Sequence, residues 1–330
     1  MTRDGLVFVA LVVGVLLASI WSLSAGAVAI EWSVIANTLF DLDGPKQDYI
    51  ILKSRLPRTV LALLTGASLA LSGAIVQALL RNPLASPKII GINSGAALGV
   101  CLMVLLLPSV SLAYLPIAAI AGGILAATII YIGADLRGAS PARLVLVGIA
   151  VGFLCDAGVD FILVTSSDAQ FSAPLIWLTG SLWARGWTHL GLVWPWLLVC
   201  IAIALSLFYR LDLLRLGPQT ASGLGENVRA ARLSLMILAV LLAALSVSVV
   251  GVLGFVGLIA PHIARTVLGG GHARLLPCAM LIGMGLVVWA DAIGRAIAPP
   301  IEVSAGIVTA LLGAPFFVMI MITTQRKIRA

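Results

Sequence analysis

Charged side chains are rare in this chain, and a few of them stand at spacings that could do chemistry. Arg55 and Arg58 are three residues apart and flank Pro57, a residue that suits the first turn of a helix. Two guanidiniums at this spacing present planar forks that fit carboxylates. The pair could therefore bind an acidic protein surface. The alternative is that both arginines extend their charged ends to the membrane surface while their stems stay in the apolar layer.

Two aspartates share one side of a predicted helix. Asp156 and Asp160 are four residues apart within an apolar stretch, so a helix places both on the same face. Carboxylates at membrane depth usually face a cavity or a partner, which predicts a wet pathway. The alternative is a pair close enough to the outer surface to stay hydrated. Asp291 and Arg295 have the same spacing and could form an ion pair.

The sequence lacks the common motifs of catalysis. It contains no Gly-x-x-x-x-Gly-Lys-Ser/Thr phosphate loop, no His-Glu-x-x-His and no Gly-x-Ser-x-Gly nucleophile elbow. The cysteines have no metal-type spacing, so we expect buried apolar residues and no metal or cofactor in this chain: Cys101, Cys155, Cys200 and Cys278. The chain is not expected to be an enzyme. Uphill transport would draw on an ion gradient or on a separate ATPase.

Membrane helices must position these residues. Of the 330 residues, 61% are hydrophobic and only 10% are charged, and the mean hydropathy is +1.16. A soluble domain carries about 25% charged residues, so the composition excludes disorder, a nucleic-acid-binding protein and a conventional soluble enzyme. Long unbroken apolar runs exclude a transmembrane barrel. We predict an all-α polytopic membrane protein.

Ten apolar runs are long enough to predict ten transmembrane helices. They lie at about 6–30, 59–80, 89–107, 112–134, 143–164, 190–209, 233–252, 253–268, 275–297 and 303–322. The uncharged stretch 233–264 is too long for one crossing. Four residues offer places to break it: Gly251, Gly254, Gly257 and Pro261. The first run is longer than a signal-peptide core, so we expect it to be retained.

The chain also resembles itself. Aligning the Arg-x-x-Arg pair at 55–58 with the pair at 229–232 brings Pro87 onto Pro261 without a gap. The two copies are separated by an odd number of spans, so they cross the membrane in opposite directions. This predicts an inverted-topology repeat of spans 2–5 and 7–10, as in many transporters. The alternative is coincidence among Ala, Leu and Gly.

We predict a single transmembrane domain over residues 1–330, with repeat halves at about 55–165 and 229–325. Most of the 20 lysines and arginines fall on one side of a ten-span arrangement, which predicts that both termini are cytoplasmic. The longest cytoplasmic segment, at about 210–232, is rich in small residues that let another protein approach its backbone. The alternative is an ordinary connector.

Taken together, the motifs resemble the FecCD-type permeases, the membrane subunits of type II ABC importers for iron–siderophore complexes, haem and cobalamin. The resemblance covers essentially the whole chain. It rests on motifs in the same order: Arg55-Leu56-Pro57-Arg58, Arg81-Asn82-Pro83-Leu84-Ala85-Ser86-Pro87, Gly91-Ile92-Asn93-Ser94-Gly95-Ala96, Trp177-Leu178-Thr179-Gly180-Ser181, Phe255-Val256-Gly257-Leu258-Ile259-Ala260-Pro261-His262 and Gly313-Ala314-Pro315.

This resemblance implies partners and a location. The partners are a second permease subunit (the same chain or a close homologue), two ATPase subunits that bind ATP and Mg, and a periplasmic or lipid-anchored binding protein. The location is the bacterial inner membrane, with several crossings. The cargo is a ferric siderophore or related iron chelate, moved by alternating access. The alternative function is an ion-coupled secondary transporter that uses Asp156 and Asp160 as a relay.

The resemblance also assigns roles to residues. Arg55, Arg58 and Arg295 match arginines that receive acidic residues of the binding protein, so removing Arg55 and Arg58 should weaken docking. Span five lines the translocation pathway in that family, so the resemblance assigns Asp156 and Asp160 to the pathway. The ATPase-coupling segment is matched by five residues: Gly217, Ala221, Gly223, Leu224 and Gly225. Glu226 departs from that segment's usual apolar residue. The cytoplasmic gate is matched by Ser140, Pro141 and Ala142, although the proline is unlike the hydroxyl-bearing gates of some relatives.

Overall fold

The computed structural model describes residues 2–88, 91–107, 109–110, 114–135, 141–165 and 177–329. These residues form helices joined by turns, with no strand among them. In chain order the helices are α1 (Arg3–Ser24), α2 (Trp32–Phe40), α3 (Leu56–Leu80), α4 (Ile92–Leu106), α5 (Leu115–Asp135), α6 (Pro141–Thr165), α7 (Trp187–Ser206), α8 (Phe208–Arg215), α9 (Pro218–Gly223), α10 (Val228–Val250), α11 (Val256–Val267), α12 (His272–Ala296) and α13 (Ala305–Arg329).

The prediction of an all-α polytopic membrane protein is confirmed. Within the described residues, 7 helices are long and apolar enough to cross a membrane: α1, α3 with its N-terminal extension, α5, α6, α7, α10 and α12. Three further apolar helices are shorter, namely α4, α11 and the 305–320 part of α13. The count of ten crossings stays a prediction.

The long uncharged stretch is broken where the sequence predicted. α10 ends at Val250, and residues 251–255 separate it from α11. Gly251 has a φ of +78°, which glycine adopts without steric cost, and an added Cβ would lie 1.8 Å from the carbonyl oxygen of Trp177. Pro261, by contrast, lies inside α11 and does not end it.

The start of α3 is unusual, because a π-helical turn at Tyr49–Arg55 leads into it. In a π-helix each N–H donates to the carbonyl oxygen five residues earlier in the chain. Pro57 follows this turn and has no N–H, so the carbonyl five residues before it does not receive that bond. That carbonyl belongs to Leu52, and it accepts a 2.7 Å hydrogen bond from the indole Nε1 of Trp187. α7 therefore supplies the bond that the proline removes.

α3 and α10 form the centre of the bundle and are the most buried of the long helices. They are joined by a 2.6 Å hydrogen bond from Ser72 Oγ to the carbonyl oxygen of Ala239. α3 also packs on α12 and α11 through glycines. A Cβ added to Gly66 would lie 2.3 Å from the carbonyl oxygen of Gly283 on α12. A Cβ added to Gly73 would lie 1.8 Å from the carbonyl oxygen of Gly257 on α11. Without side chains at these points, the backbones can approach closely.

Charged residues collect at the two ends of the bundle. The Arg58 end brings together residues 22–28, 52–58, 180–187 and 291–306. The Arg215 end brings together residues 77–83, 212–216 and 265–275, with Asp4 paired to Arg274.

Replacing Gly73 with alanine should destabilise the bundle, because the added methyl would collide with the backbone of α11 at Gly257. Overpacking of this kind costs about 1–3 kcal/mol. Thermal unfolding in detergent measures the effect as a lower midpoint than that of the unaltered chain. Gly191→Ala on α7 is the matched control, since nothing lies within 4 Å of its added Cβ. Equal midpoints for the two variants would contradict the close contact.

Candidate functional site

The Arg58 end contains a buried ionic cluster of four residues, which we call the Arg58 cluster: Arg58, Asp291, Arg295 and Glu302. Arg58 donates from Nε and Nη2 to Asp291 Oδ1 at 2.9 and 2.7 Å, and from Nη1 to Glu302 Oε2 at 2.9 Å. Arg295 Nε donates to Asp291 Oδ2 at 3.1 Å, which confirms the predicted pairing. The cluster fastens α3 to α12.

Two of the three predicted docking arginines hold the end of α1. The last carbonyls of a helix have no partner within it, and cations are stabilised there. Arg55 Nη1 donates to the carbonyl oxygens of Leu23 and Ser24 at 2.6 and 2.8 Å. Arg295 donates to the carbonyl oxygens of Ser22 and Ala25 at 2.9 and 2.8 Å. Both guanidiniums are therefore engaged in the fold of this chain.

The geometry changes how a docking role would be tested. Arg55, Arg58 and Arg295 are all buried, with at most 8% of their surface exposed. Of the four residues in the Arg58 cluster, only Glu302 is partly exposed to solvent, with 30% of its side chain accessible. Removing Arg55 and Arg58 together would take away bonds to α1 and to Asp291, so weaker docking would not distinguish a contact from a lost fold. Their docking role stays a prediction.

Asp156 and Asp160 do share one face of α6. Both side chains are exposed in the isolated chain. Along the same stripe lie Phe153 and Val164, which are 72% and 85% exposed. Bare apolar side chains and carboxylates on one spanning helix mean that something other than this chain covers or wets this face.

The predicted coupling residues fall on and around the short helix α9. Leu224 is 60% exposed, and open space surrounds Gly223 and Gly225. Gly217 begins α9 with a φ of +109°, whereas Ala221 is fully buried and holds the segment against the chain. Their coupling role stays a prediction.

Glu226, the residue that departs from the usual coupling pattern, is turned toward its own chain. Its Oε1 lies 3.7 Å from Arg210 Nε. The pair links the end of the coupling segment back to α8. Of the predicted gate residues, Ser140 lies outside the described residues, while Pro141 and Ala142 are the first two residues of α6.

Sequence reasoning missed three partners of these charges. It paired Asp291 with Arg295 but not with Arg58, which lies 233 residues away along the chain. It gave no role to Glu302, or to Asp212, whose Oδ1 lies 2.7 Å from His272 Nδ1. Each of these contacts joins residues that are at least 60 positions apart in the chain, so it has no local signal. The two Arg58 partners could have been suggested only by the rarity of acids in so apolar a chain.

Replacing Asp291 with alanine should destabilise the protein strongly. The change would leave Arg58 and Arg295 as buried positive charges without their shared carboxylate, and breaking such a pair costs about 3–5 kcal/mol. The midpoint of thermal unfolding in detergent measures the loss.

Asp41→Asn is the matched control for that change. A hydrogen bond from Lys46 at 2.5 Å lowers the pKa of this exposed carboxylate, so it is charged at neutral pH. Surface pairs of this kind add little to stability, so no measurable shift is expected. An Asp291→Ala midpoint equal to that of the control would contradict a structural role for the Arg58 cluster.

Comparisons with known proteins give a consistent family. The FecCD transport family matches residues 12–323. The chain is 42% identical to the Fe(3+)-citrate import system permease protein YfmE of Bacillus subtilis over 98% of this chain and 97% of the relative. It is 38% identical to the Fe(3+) dicitrate transport system permease protein FecD of Escherichia coli over 95% and 98% of the two chains.

A solved structure has the same fold from end to end. It is described as an inward-facing conformation of a metal-chelate type ABC transporter, and it superposes with a TM-score of 0.84 at 32% identity. The match covers 96% of this chain and 99% of that one. The curated relatives are transport permeases rather than enzymes. The family match and the similarity to relatives over nearly the whole length show that the chain belongs to the FecCD transport family.

Proposed function

We propose that this chain is the membrane-spanning permease subunit of an ATP-driven importer. It carries a ferric siderophore or related iron chelate across the bacterial inner membrane by alternating access. The observation that carries the proposal is the similarity, over nearly the full length, to permeases named for ferric citrate. The sequence has no phosphate-binding loop of its own, so ATP and Mg are bound by separate ATPase subunits.

We further propose ten crossings in a single domain, arranged as an inverted repeat. The seven long apolar helices and the three shorter ones supply ten candidates. Their packing has the expected symmetry, because α3 lies against α11 and α12 as α10 lies against α4 and α5. The contact between α3 and α10 would contain the pseudo-two-fold axis.

Both termini are proposed to be cytoplasmic. Asp4 pairs with Arg274, which puts the first residues of α1 at the Arg215 end. α13 starts beside Gly180 at the Arg58 end and runs away from it for 25 residues. The arginines of the Arg215 end fit the cytoplasmic excess of basic residues in membrane proteins. The Arg58 end then faces the periplasm.

The open face of α6 supports a second permease subunit. In lipid, Asp156 and Asp160 would be costly, whereas a water-filled path between two subunits accommodates both carboxylates. The exposed apolar residues of the same helix, such as Phe153 and Leu154, are suited to contact with the partner subunit. Two of the proposed gate residues, Pro141 and Ala142, begin this helix, and its start is cytoplasmic in the proposed orientation.

The coupling segment supports contact with an ATPase subunit. Leu224 offers an exposed apolar side chain, and Gly223 and Gly225 leave the backbone on either side of it accessible. The pair Arg210–Glu226 keeps the segment attached to α8, so a push on it is transmitted to the membrane helices. At the opposite end, Arg55, Arg58 and Arg295 are the proposed docking residues for acidic groups of the binding protein, and Glu302 occupies one side of Arg58.

Reconstituted transport tests the function. Vesicles holding this chain, its partner permease, the ATPase and a binding protein loaded with ferric citrate should take up iron only with ATP, and uptake should survive collapse of the proton gradient. Leu224→Glu should lower uptake at least tenfold, because a charge replaces the exposed apolar side chain that is proposed to contact the ATPase. Ile301→Glu is the control at the other end of the bundle, and it should leave binding of the ATPase intact.

The second candidate, an ion-coupled transporter, is favoured only by the two exposed carboxylates of α6. It requires uptake by this chain alone under a pH difference, abolished by Asp156→Asn. That result would overturn the ATP-driven proposal.

Docking is tested without disturbing the fold by Glu302→Gln. Loss of this partly exposed charge frees Arg58 Nη1 to receive a carboxylate of the binding protein, so docking should tighten by threefold or more. The dissociation constant is measured against the permease in detergent at low and high salt, because electrostatic docking weakens with salt. An unchanged constant and no salt dependence would remove the Arg58 cluster from the docking surface.

A further inference from the structure

A basic cavity of about 350 Å³ opens at the Arg215 end. We call it the basic cavity, and it is lined by Gln77, Ala78, Arg81, Pro83, Arg215, Arg265, His272 and Leu275. The lining comes from α3, α8, α11 and α12 and from the turn after α3. Three guanidiniums therefore converge on one space from separate parts of the chain.

None of these guanidiniums is neutralised within the part of the chain that the structure describes. Arg81 donates to the carbonyl oxygen of Leu214 at 3.0 Å, and Arg215 donates to that of Gly270 at 3.0 Å. Arg265 donates to the side-chain oxygen of Gln77. All three acceptors are uncharged oxygens. Each guanidinium has five N–H donors, so most of their hydrogen-bonding capacity is unused.

The carboxylate of Asp212, which contacts the cavity residue His272, is already occupied. Asp212 accepts hydrogen bonds from the backbone N–H of His272 at 3.0 Å and faces its ring Nδ1 at 2.7 Å. This places the carboxylate at the N-terminus of α12, where a negative charge is favoured. It therefore stabilises the helix end rather than the guanidiniums of the cavity.

Arg265 gives a second, independent sign of a missing partner. Its Nε atom is buried and has no hydrogen-bond partner among the described residues. A buried donor without a partner is rare in native proteins. Arg55, Arg58 and Arg295 at the other end differ, because each of them bonds a carboxylate or several carbonyl oxygens. Arg185, also at that end, shares a buried Nε without a partner, but it bonds His189 and does not line the basic cavity.

We propose that the basic cavity binds a phosphate group. A tetrahedral oxyanion offers more acceptor oxygens to Arg81, Arg215 and Arg265 than a carboxylate does, and it carries charge that matches guanidiniums. The phosphate has two sources, free inorganic phosphate or the headgroup of an anionic phospholipid. Basic pockets between membrane helices on the cytoplasmic side suit such headgroups. The site is independent of the transport function proposed above.

Phosphate binding is tested first on the unaltered chain. The protein is purified in a neutral detergent, and thermal unfolding is followed in phosphate and in chloride at equal ionic strength and pH. A site that stabilises the folded state raises the midpoint in proportion to occupancy, so we expect phosphate to raise it by a few degrees over chloride. This comparison needs no variant and does not depend on transport.

The double variant with Arg81→Gln and Arg215→Gln should abolish that rise, because it removes two of the three guanidiniums that line the cavity. Both side chains are exposed, so they can be replaced without unfolding the chain. Arg210→Gln is the control, because it removes one guanidinium from α8 at a residue outside the cavity, whereas the double variant removes two. It should keep the full phosphate effect. Loss of the effect in this control as well would mean that phosphate acts on net charge, and would overturn the site.

A lipid arm separates the two sources. The chain is reconstituted in phosphatidylcholine vesicles with and without phosphatidylglycerol, and bound lipid is counted by native mass spectrometry. Phosphatidylglycerol retained by the unaltered chain and by Arg210→Gln, but lost at least fivefold in the double variant, assigns the site to a lipid headgroup. A phosphate effect without lipid retention assigns it to free phosphate. If neither appears and the double variant instead loses ATPase binding, a protein carboxylate fills the cavity and the proposal fails.

Discussion

The bond between Arg58 and Asp291 is the interaction on which the Arg58 end depends. It joins α3 and α12, which pack extensively against each other, at a point where both side chains are buried. In such a place a single charge would be prohibitive, and the pair is tolerated because three hydrogen bonds and a second arginine satisfy the carboxylate. The same Arg295 then reaches α1, so one aspartate organises three helices.

Close backbone contact joins the helices in the apolar interior of the bundle, as the Arg58–Asp291 bond joins them at the Arg58 end. Between membrane helices there is little hydrophobic driving force, and association rests on packing. α3 meets α12 at Gly66 and Gly283, and meets α11 at Gly73 and Gly257, with no side chain between the backbones. A rigid centre of α3 and α10 leaves the less buried α1, α6 and α7 on the outside. Of these, α6 exposes Asp156 and Asp160, the observation behind the proposed second permease subunit.

The two ends of the bundle differ in how their charges are satisfied. At the Arg58 end, Arg55, Arg58 and Arg295 are buried and bonded to acids or to helix carbonyls. At the Arg215 end, the three arginines that line the basic cavity bond neutral oxygens, whereas Arg274, outside the cavity, pairs with Asp4. The arginines of the basic cavity thus carry positive charge that no carboxylate among the described residues pairs with. The short helix α9 with its exposed Leu224 lies close to this end in sequence.

Much of the architecture could be predicted from the sequence because it depends on local properties. Hydropathy over about 20 residues locates the spanning helices, and Gly251 explains the break before α11 because only glycine accepts that backbone without cost. Spacing alone paired Asp291 with Arg295 and put Asp156 and Asp160 on one face. The π turn before Pro57, the partners of Arg58 and the cavity around Arg265 could not be predicted in this way. They join residues far apart in the chain, and only the packing of helices decides which distant carbonyls, acids and guanidiniums come within hydrogen-bonding reach.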